Sequence, residues 1–222
     1  MPTSTVEDYL KQLYLAHVQS GGDVMATGEL ASAMGVVPGT ATSMIKALAD
    51  SGLVDYEPRK GARLTERGEQ LALHVLRRHR LVELFLVEVL GLDWAVVHDE
   101  ADTLEHAISD RVLERIDAIL GHPEADPHGD PIPTHQGHVR EPAARSLVEC
   151  PAGQSRRVVR VTDQSPEFLT FADRHGLTPG AVVTVLEREA ASGAMQLKGP
   201  AGEVVALGLD AAARILAEPI EE

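Results

Sequence analysis

Scarcity of cysteine and of aromatic side chains limits what this chain of 222 residues can do. Its single cysteine, Cys150, cannot form an internal disulfide, and alone it cannot build a thiolate zinc site or an iron–sulfur cluster. Any bound metal must therefore be held mainly by nitrogen and oxygen. Aromatic residues make up only 3% of the chain. This argues against a peptide-binding module, because grooves for proline-rich peptides are lined with aromatic rings.

Long apolar runs are also lacking. No stretch approaches the ~18 apolar residues that would span a bilayer. The start of the chain, Met1-Pro2-Thr3-Ser4, has neither the charged nor the apolar region of a signal peptide. We therefore expect a cytoplasmic protein with no membrane partner. The hydrophobic fraction of 44% and the charged fraction of 24% are ordinary for globular proteins, and the length fits two or three compact domains.

The charge is strongly negative and unevenly distributed. The formal net charge of -14 argues against nucleic-acid binding, because phosphate recognition needs positive potential. Residues 24–67, however, carry five basic and five acidic side chains, so the whole negative excess lies elsewhere. An acidic body with a neutral, basic-tipped module would bind DNA weakly alone and better once cations neutralise carboxylates.

The spacing of apolar residues predicts an α+β chain with three domains and a linker. Helices are expected over residues 5–20, at 27–35 and from Pro38 to Gly52, followed by a small hairpin with a basic tip. This is the pattern of a winged helix-turn-helix. A long helix from Thr65 to about Leu90 has more than one apolar face, which indicates burial against a partner subunit, and two helical stretches follow within 94–120. The predicted divisions are a DNA-binding domain at 1–70, a helical dimerisation and metal-binding domain at 71–121, a linker at 122–146 and a small β-barrel at 147–222 interrupted by a helix at 166–175.

Two groups of side chains have spacings at which helices present metal ligands. His79 and Glu83 are four residues apart, and so are Asp102 and His106, with Glu105 three residues after Asp102. An exposed ion pair remains an alternative interpretation of the first pair. A solvated acidic helix remains an alternative interpretation of the second group. Carboxylates and imidazoles without thiolate suit a divalent first-row ion, and hard ligands favour manganese over softer competitors.

Several motifs, in order, resemble the diphtheria toxin repressor family of metal-dependent regulators. These are Glu7-Asp8-Tyr9-Leu10, the winged helix at 24–67, Arg78-His79-Arg80-Leu81-Val82-Glu83, Val97-His98-Asp99-Glu100-Ala101, Leu104-Glu105-His106 and Asp130-Pro131-Ile132-Pro133. The β-rich tail resembles the SH3-like (FeoA-like) domain of the longer members. The resemblance implies a homodimer that binds double-stranded operator DNA, is not an enzyme and holds two metal ions per subunit.

The resemblance also assigns ligands to two metal sites. The primary site would take Asp8, Asp102, Glu105 and His106, and the ancillary site His79, Glu83 and His98, with Gln164 and Glu167 contributed by the SH3-like domain. In iron-responsive members the positions of Asp8 and Asp102 hold methionine and cysteine. Two aspartates there shift the expected preference from iron towards manganese.

For DNA, the start of the third helix would face the major groove and the hairpin would contact phosphates or the minor groove. The groove residues are Pro38, Gly39, Thr40, Thr42 and Ser43, with Lys46 nearer the backbone, and the hairpin residues are Arg59, Lys60 and Arg63. The predicted function is a manganese (Mn²⁺)-dependent repressor of metal-uptake genes. An iron (Fe²⁺)-dependent repressor of the same family is one alternative. A metal-dependent hydrolase is another, although the winged helix would have no role in it.

Overall fold

The computed structural model describes residues 3–22, 24–189 and 191–220. They form two compact units, the first comprising residues 3–79 with Pro133–His138 and the second comprising Arg80–Ile132 with residues 139–220. Among the described helices, none is long and apolar enough to cross a membrane.

The first unit begins with three helices and a hairpin. Helices α1 (Ser4–Ser20), α2 (Thr27–Ala33) and α3 (Pro38–Asp50) are followed by strands β1 (Val54–Glu57) and β2 (Gly61–Leu64), which pair antiparallel. Apolar residues at helical spacing on the three helices meet in one core with the base of the hairpin. Pro38 occupies the first turn of α3, where its missing N–H costs no hydrogen bond. The predicted winged helix-turn-helix arrangement is thus present.

A long helix follows and two shorter ones lie in the second unit. Helix α4 (Glu66–Glu88) starts where the Thr65 hydroxyl accepts a hydrogen bond from the Gly68 N–H at 3.1 Å. Helices α5 (Val97–Leu104) and α6 (Asp110–Ile119) come next. Within the second unit, the C-terminal part of α4 packs through Leu81 against Leu113 and Ile116 of α6 and against Ile132.

The segment predicted to be a linker is ordered against other elements. In the second unit, Asp126, His128, Gly129 and Asp130 are all buried. In the first unit, the buried Arg77 donates a hydrogen bond from Nη1 to the Pro133 carbonyl at 2.7 Å. These stretches of the segment predicted as a linker are therefore packed and hydrogen-bonded parts of the fold.

The described part of the C-terminal domain has one antiparallel sheet of six strands, two α-helices and a short 3-10 helix at Leu147–Glu149. Its strands are β3 (Arg145–Ser146), β4 (Ser155–Val161), β5 (Val182–Glu189), β6 (Ala194–Lys198), β7 (Val204–Gly208) and β8 (Ile215–Pro219), in the order β3-β8-β4-β5-β6-β7. Helix α7 (Pro166–Arg174) matches the predicted interruption, and α8 (Leu209–Ala213) adds a helix that the sequence pattern did not indicate. Alternate residues of the central strands form the core, so the side-chain period is two.

Three strands, β3, β6 and β8, were not predicted from the sequence, for a physical reason. Strand β3 has only two residues. Strands β6 and β8 have five residues each and include residues with little intrinsic preference for strands, which are alanine, methionine, glutamine and lysine in β6 and alanine, glutamate and proline in β8. Their pairing comes from the neighbours that they meet in the sheet. The α+β prediction, with a helix-turn-helix, central helices and a β-rich C-terminal domain, is confirmed.

Candidate metal centre and DNA interface

Glu83 is the central side chain of the candidate metal centre in the second unit. It lies on α4 four residues after His79, is 1% exposed, and directs its two carboxylate oxygens towards different histidines. Its Oε1 is 3.1 Å from Nδ1 of His98, the second residue of α5. Its Oε2 is 4.0 Å from Nδ1 of His128, in the segment before the β-rich domain. The structure thus joins two predicted ligands, Glu83 and His98, and adds a histidine that the sequence analysis did not select.

Glu83, Asp126 and His128 form a buried cluster. One ligand atom from each lies within 4.8 Å of the others. Nδ1 of His128 is 3.9 Å from Oδ1 of Asp126, and all three residues are at most 5% exposed. Two oxygens and one nitrogen, with no thiolate, are donors that suit a hard divalent cation.

The hydrogen bonds of His128 leave one ring nitrogen available. Its Nε2 is 2.8 Å from the Trp94 carbonyl oxygen, which can only accept, so Nε2 carries the proton. The unprotonated Nδ1 is buried and, among the described residues, has no hydrogen-bond partner. Metal-binding histidines commonly donate from one nitrogen to a carbonyl while the other binds the ion. This orphaned lone pair therefore fits a metal ligand.

The carboxylates of the cluster repel one another in a buried place. Burial raises the pKa of Asp126 well above its usual range, and the neighbouring charges of Asp130 and Glu83 raise it further. The Arg80 guanidinium, with Nε 3.7 Å from Asp126 Oδ2, opposes this only in part. A site of this kind gains from a cation that neutralises its carboxylates, so the residues present fit a divalent metal.

The residues predicted for the primary site fall in both units. Asp102, Glu105 and His106 lie around the end of α5 in the second unit, where Glu105 is fully buried and its Oε1 is 3.4 Å from His106 Nε2. Asp102 also approaches His98, with 3.8 Å between Oδ2 and Nε2. Asp8 is half-buried on α1 in the first unit.

The two ligands predicted from the SH3-like domain lie in different environments. The Gln164 amide Nε2 donates a hydrogen bond to Asp130 Oδ2 at 2.6 Å, so this side chain already has a carboxylate partner. Glu167 is exposed in the first turn of α7. It belongs to none of the possible metal-binding groups found among the described residues.

The predicted groove-facing residues lie at the start of α3, mostly on its exposed face. Pro38, Gly39, Thr40, Ser43 and Lys46 of α3 are exposed and Thr42 is half-buried. Two of the hydroxyls bond locally, from Thr42 to the Pro38 carbonyl at 2.7 Å and from Ser43 to the Gly39 carbonyl at 3.0 Å. In this arrangement the surface of α3 offers mostly small groups, which suit contacts with thymine methyls and phosphates.

The hairpin places three basic side chains at and near its tip. Arg59, Lys60 and Arg63 are exposed, and Arg59 has a left-handed backbone with φ of 72° at the turn. Lys60 Nζ lies 2.6 Å from Glu57 Oε2, and Arg63 Nη2 lies 3.0 Å from Asp55 Oδ2. These are solvent-exposed pairs, which are weak and can be exchanged for phosphate contacts.

Three family models match the chain in the order of its elements. Residues 1–62 match the iron dependent repressor N-terminal DNA binding domain, residues 65–134 match the iron dependent repressor metal binding and dimerisation domain, and residues 145–219 match the FeoA domain. The chain belongs to the diphtheria toxin repressor family. Within this family it is a metal-dependent DNA-binding repressor with a FeoA domain.

Known relatives of this repressor cover most of its length. It is 33% identical to the iron-dependent repressor IdeR of Mycobacterium tuberculosis over 193 residues, which are 82% of this chain and 83% of the relative. A solved manganese-dependent transcriptional repressor in complex with manganese is 41% identical, with a TM-score of 0.88, covering 97% of this chain and all of the other. The repressor ScaR with bound Cd²⁺ is 33% identical, with a TM-score of 0.77, covering 99% and 100%.

Family membership decides two predictions. The repressor family consists of transcriptional regulators. The expectation that this protein is not an enzyme is therefore confirmed, and the alternative of a metal-dependent hydrolase is wrong. The repressor carries a divalent metal-binding and dimerisation domain and a DNA-binding domain, as expected.

Sequence reasoning missed Asp126 and His128, which lie in a segment that has no helical or strand period. The available signal was compositional: two aspartates and a histidine occur within the five residues 126–130. Exposed loops often have the same composition. These residues therefore indicate a metal-binding turn only when their side chains are known to be buried.

Proposed function

We propose that this repressor is activated by Mn²⁺ and controls metal-uptake genes. The observation that carries the proposal is the buried donor set of Glu83, Asp126 and His128, whose oxygen and nitrogen atoms suit a hard ion. The paired aspartates Asp8 and Asp102 support it, because softer side chains at these positions would favour iron. Because its target is chromosomal DNA, the repressor would act in the cytoplasm.

One ion would be held by the side chains around Glu83. Glu83 and Asp126 would contribute carboxylate oxygens and His128 its Nδ1, while the Nε2–H of His128 stays on the Trp94 carbonyl and fixes the ring orientation. His79 and His98 are also proposed for this ancillary site, on opposite sides of Glu83 in the sequence. Of the SH3-like residues, Gln164 would act through Asp130, and Glu167 is proposed as a ligand on the sequence resemblance alone.

A second ion per subunit would be held by the primary-site residues. Asp8 of α1 would supply one carboxylate, and Asp102, Glu105 and His106 would supply the rest from the end of α5. This assignment rests on the sequence resemblance and on the oxygen and nitrogen donors that these residues offer. A bound divalent cation supplies positive charge that neutralises several carboxylates of an acidic chain.

The ligand positions suggest how the metal state would control DNA binding. Asp8 belongs to the DNA-binding part and Asp102, Glu105 and His106 to the metal-binding and dimerisation part, so shared ligation would restrict the motion of one relative to the other. In a homodimer, two restrained recognition helices would meet half-sites of an operator with less loss of entropy. By linkage, operator DNA would raise metal affinity by the same factor.

Iron is the second candidate, and a specific observation favours it. The relative IdeR, which covers 82% of this chain, is described as iron-dependent. At 33% identity to IdeR, this repressor can differ from that relative in its metal ligands. The resemblance to iron-responsive members implies such a difference at Asp8 and Asp102, where those members have methionine and cysteine.

The test is selection of genomic DNA fragments by the purified repressor. Parallel samples contain a chelator, Mn²⁺, or Fe²⁺ under anaerobic conditions. We expect discrete fragments to be retained with Mn²⁺ and lost with chelator, and the retained fragments would name the operator. Retention with Fe²⁺ alone would assign the protein to the iron-responsive branch, and no retention with any metal would refute the switch.

A further inference from the structure

The two missed ligands belong to one tight turn, residues 126–130, called here the 126–130 turn. Asp126 Oδ1 accepts hydrogen bonds from the backbone N–H groups of His128 at 2.8 Å and Asp130 at 2.9 Å. The Asp126 N–H donates to the Asp130 carbonyl at 3.0 Å. Because the ends of the turn are tied in this way, a displacement of Asp130 would also displace Asp126 and His128.

The 126–130 turn lies directly on strand β4 of the FeoA domain. The Val161 N–H donates to the His128 carbonyl at 2.8 Å. At Gly129, with φ of 86°, an added Cβ would lie 1.8 Å from the Val159 carbonyl oxygen, so only glycine permits this approach. Val159 sits at the irregularity of the β4–β8 pairing, between Val158 and Arg160. The backbone of β4 thus supports the residue that would offer Nδ1 to the metal.

Asp130 connects this turn to side chains of the FeoA domain and to an arginine of α4. It forms an ion pair with Arg160 of β4 and accepts a hydrogen bond from Gln164 at 2.6 Å. On the other side, Arg80 of α4 has Nη2 3.8 Å from Asp130 Oδ2 and also bonds the Pro131 carbonyl. Asp130 is only 8% exposed, so these partners compensate a buried charge.

We infer that Asp130 is a positioning residue for the metal centre, through which Arg160 and Gln164 of the FeoA domain set its metal affinity. The inference rests on the proposed function, in which Glu83, Asp126 and His128 hold a divalent cation. The contacts of Asp130 hold the 126–130 turn in the position in which Asp126 and His128 face Glu83. Removing its contacts leaves every ligand present but less well placed, and partners of ligands typically contribute about 10- to 100-fold to metal affinity.

The test measures Mn²⁺ affinity in the full chain through Trp94. This is the single tryptophan, and its ring stacks on His128 with 5.5 Å between the centroids, so its fluorescence reports occupancy of this site. The variants are Asp130→Asn and Arg160→Gln, singly and together. We expect each single variant to lower the affinity about tenfold, and the double variant to lose little more, because both remove the same contact.

A matched pair in the same segment provides the control. Arg140 and Glu124 also form an ion pair, at 3.8 Å between Nη1 and Oε1, but their side chains are 88% and 85% exposed. Arg140→Gln and Glu124→Gln make the same changes of charge and should leave the affinity unchanged. Arg160→Lys keeps a positive charge beside Asp130 and should restore most of the loss. Thermal unfolding without metal identifies a variant that has merely lost stability, and Arg160→Gln remains available if Asp130→Asn does not fold.

The outcomes separate this inference from the proposed function. A wild-type chain that binds no Mn²⁺ by equilibrium dialysis would overturn both. If Glu83→Gln loses the Trp94 response while folded Asp130→Asn and Arg160→Gln keep wild-type affinity, the metal site stands and the positioning role of Asp130 is refuted. A loss of affinity in Arg160→Gln, with recovery in Arg160→Lys, supports it.

Discussion

His128 and Trp94 are joined by two contacts in the second unit. The His128 Nε2–H donates to the Trp94 carbonyl at 2.8 Å, and the two rings stack with an angle of 25° between their planes. Trp94 itself packs with Ala95, Val161 and Leu169, so the histidine ring is held by a partly apolar cluster. The orientation of Nδ1 towards Glu83 and Asp126 is therefore fixed before a cation arrives, which lowers the entropy cost of binding.

The first prediction concerns this orientation. Replacing His128 by asparagine removes a ligand, so Mn²⁺ affinity at this site should fall by more than the roughly 10- to 100-fold that loss of an outer partner costs. The measurement is Mn²⁺ titration followed by Trp94 fluorescence and checked by equilibrium dialysis. His122→Asn is the control, since His122 lies in the same segment with its side chain 74% exposed. Equal affinities in the two variants would remove His128 from the site.

The second prediction tests the choice of metal at the primary site. The double variant Asp8→Met with Asp102→Cys replaces two hard ligands by softer sulfur ligands, so activation should shift from Mn²⁺ towards Fe²⁺. Operator binding is measured anaerobically over a range of each metal. Asp99→Cys, at an exposed position on the same helix, adds a thiol without changing a proposed ligand and should keep the manganese preference. An unchanged preference in the double variant would contradict the assignment.

Much of the fold followed from the sequence because local patterns decide it. The apolar spacing of α1, α3 and α4 predicts helices, and Pro38 and Thr65 mark where two of them begin. The grouping of Glu83 with His98 follows from the family resemblance, which assigns both residues to the ancillary site. In each of these cases the information lies within one element or in an ordered series of motifs.

The remaining part of the site depends on contacts between segments distant in sequence. His128 becomes a candidate ligand because β4, some thirty residues later, supports its backbone and because Trp94 receives its Nε2–H. The sequence pattern predicts a β-barrel over residues 147–222, but it indicates neither of these contacts. Asp130 was recognised only as part of a family motif, and its ion pair with Arg160 requires the fold to be known.

A third prediction concerns the hairpin of the DNA-binding part. Arg59 is exposed at the tip, where a phosphate contact would be made. Arg59→Ala should weaken operator binding and lower the slope of log affinity against log salt by about one. Binding is measured at several salt concentrations with activating metal present. Arg140→Ala makes the same change of charge in the second unit and should leave the slope unchanged. The same slope for Arg59→Ala as for the wild type would mean that this residue contacts no phosphate.

The fourth prediction concerns the one cysteine. Cys150 is 2% exposed, and burial raises the pKa of its thiol although the guanidinium groups of Arg156 and Arg188 oppose this. A raised pKa lowers the thiolate fraction near pH 8, and the thiolate is the reactive form. The folded repressor should therefore react with a thiol reagent much more slowly than the chain unfolded in denaturant. Equal rates in the two states would contradict the buried position.

The fifth prediction separates backbone strain from steric clash in the 126–130 turn. Gly129 and Gly153 have similar positive φ angles, 86° and 78°, but an added Cβ would lie 1.8 Å from the Val159 carbonyl at Gly129 and would meet nothing within 4 Å at Gly153. Alanine at Gly153 should cost only the strain of a left-handed residue, about 1–2 kcal/mol of unfolding free energy. Alanine at Gly129 should cost clearly more, because the turn must leave β4 to relieve the clash. Denaturant unfolding without metal measures both, and equal costs would show that the turn does not lie on β4 in solution.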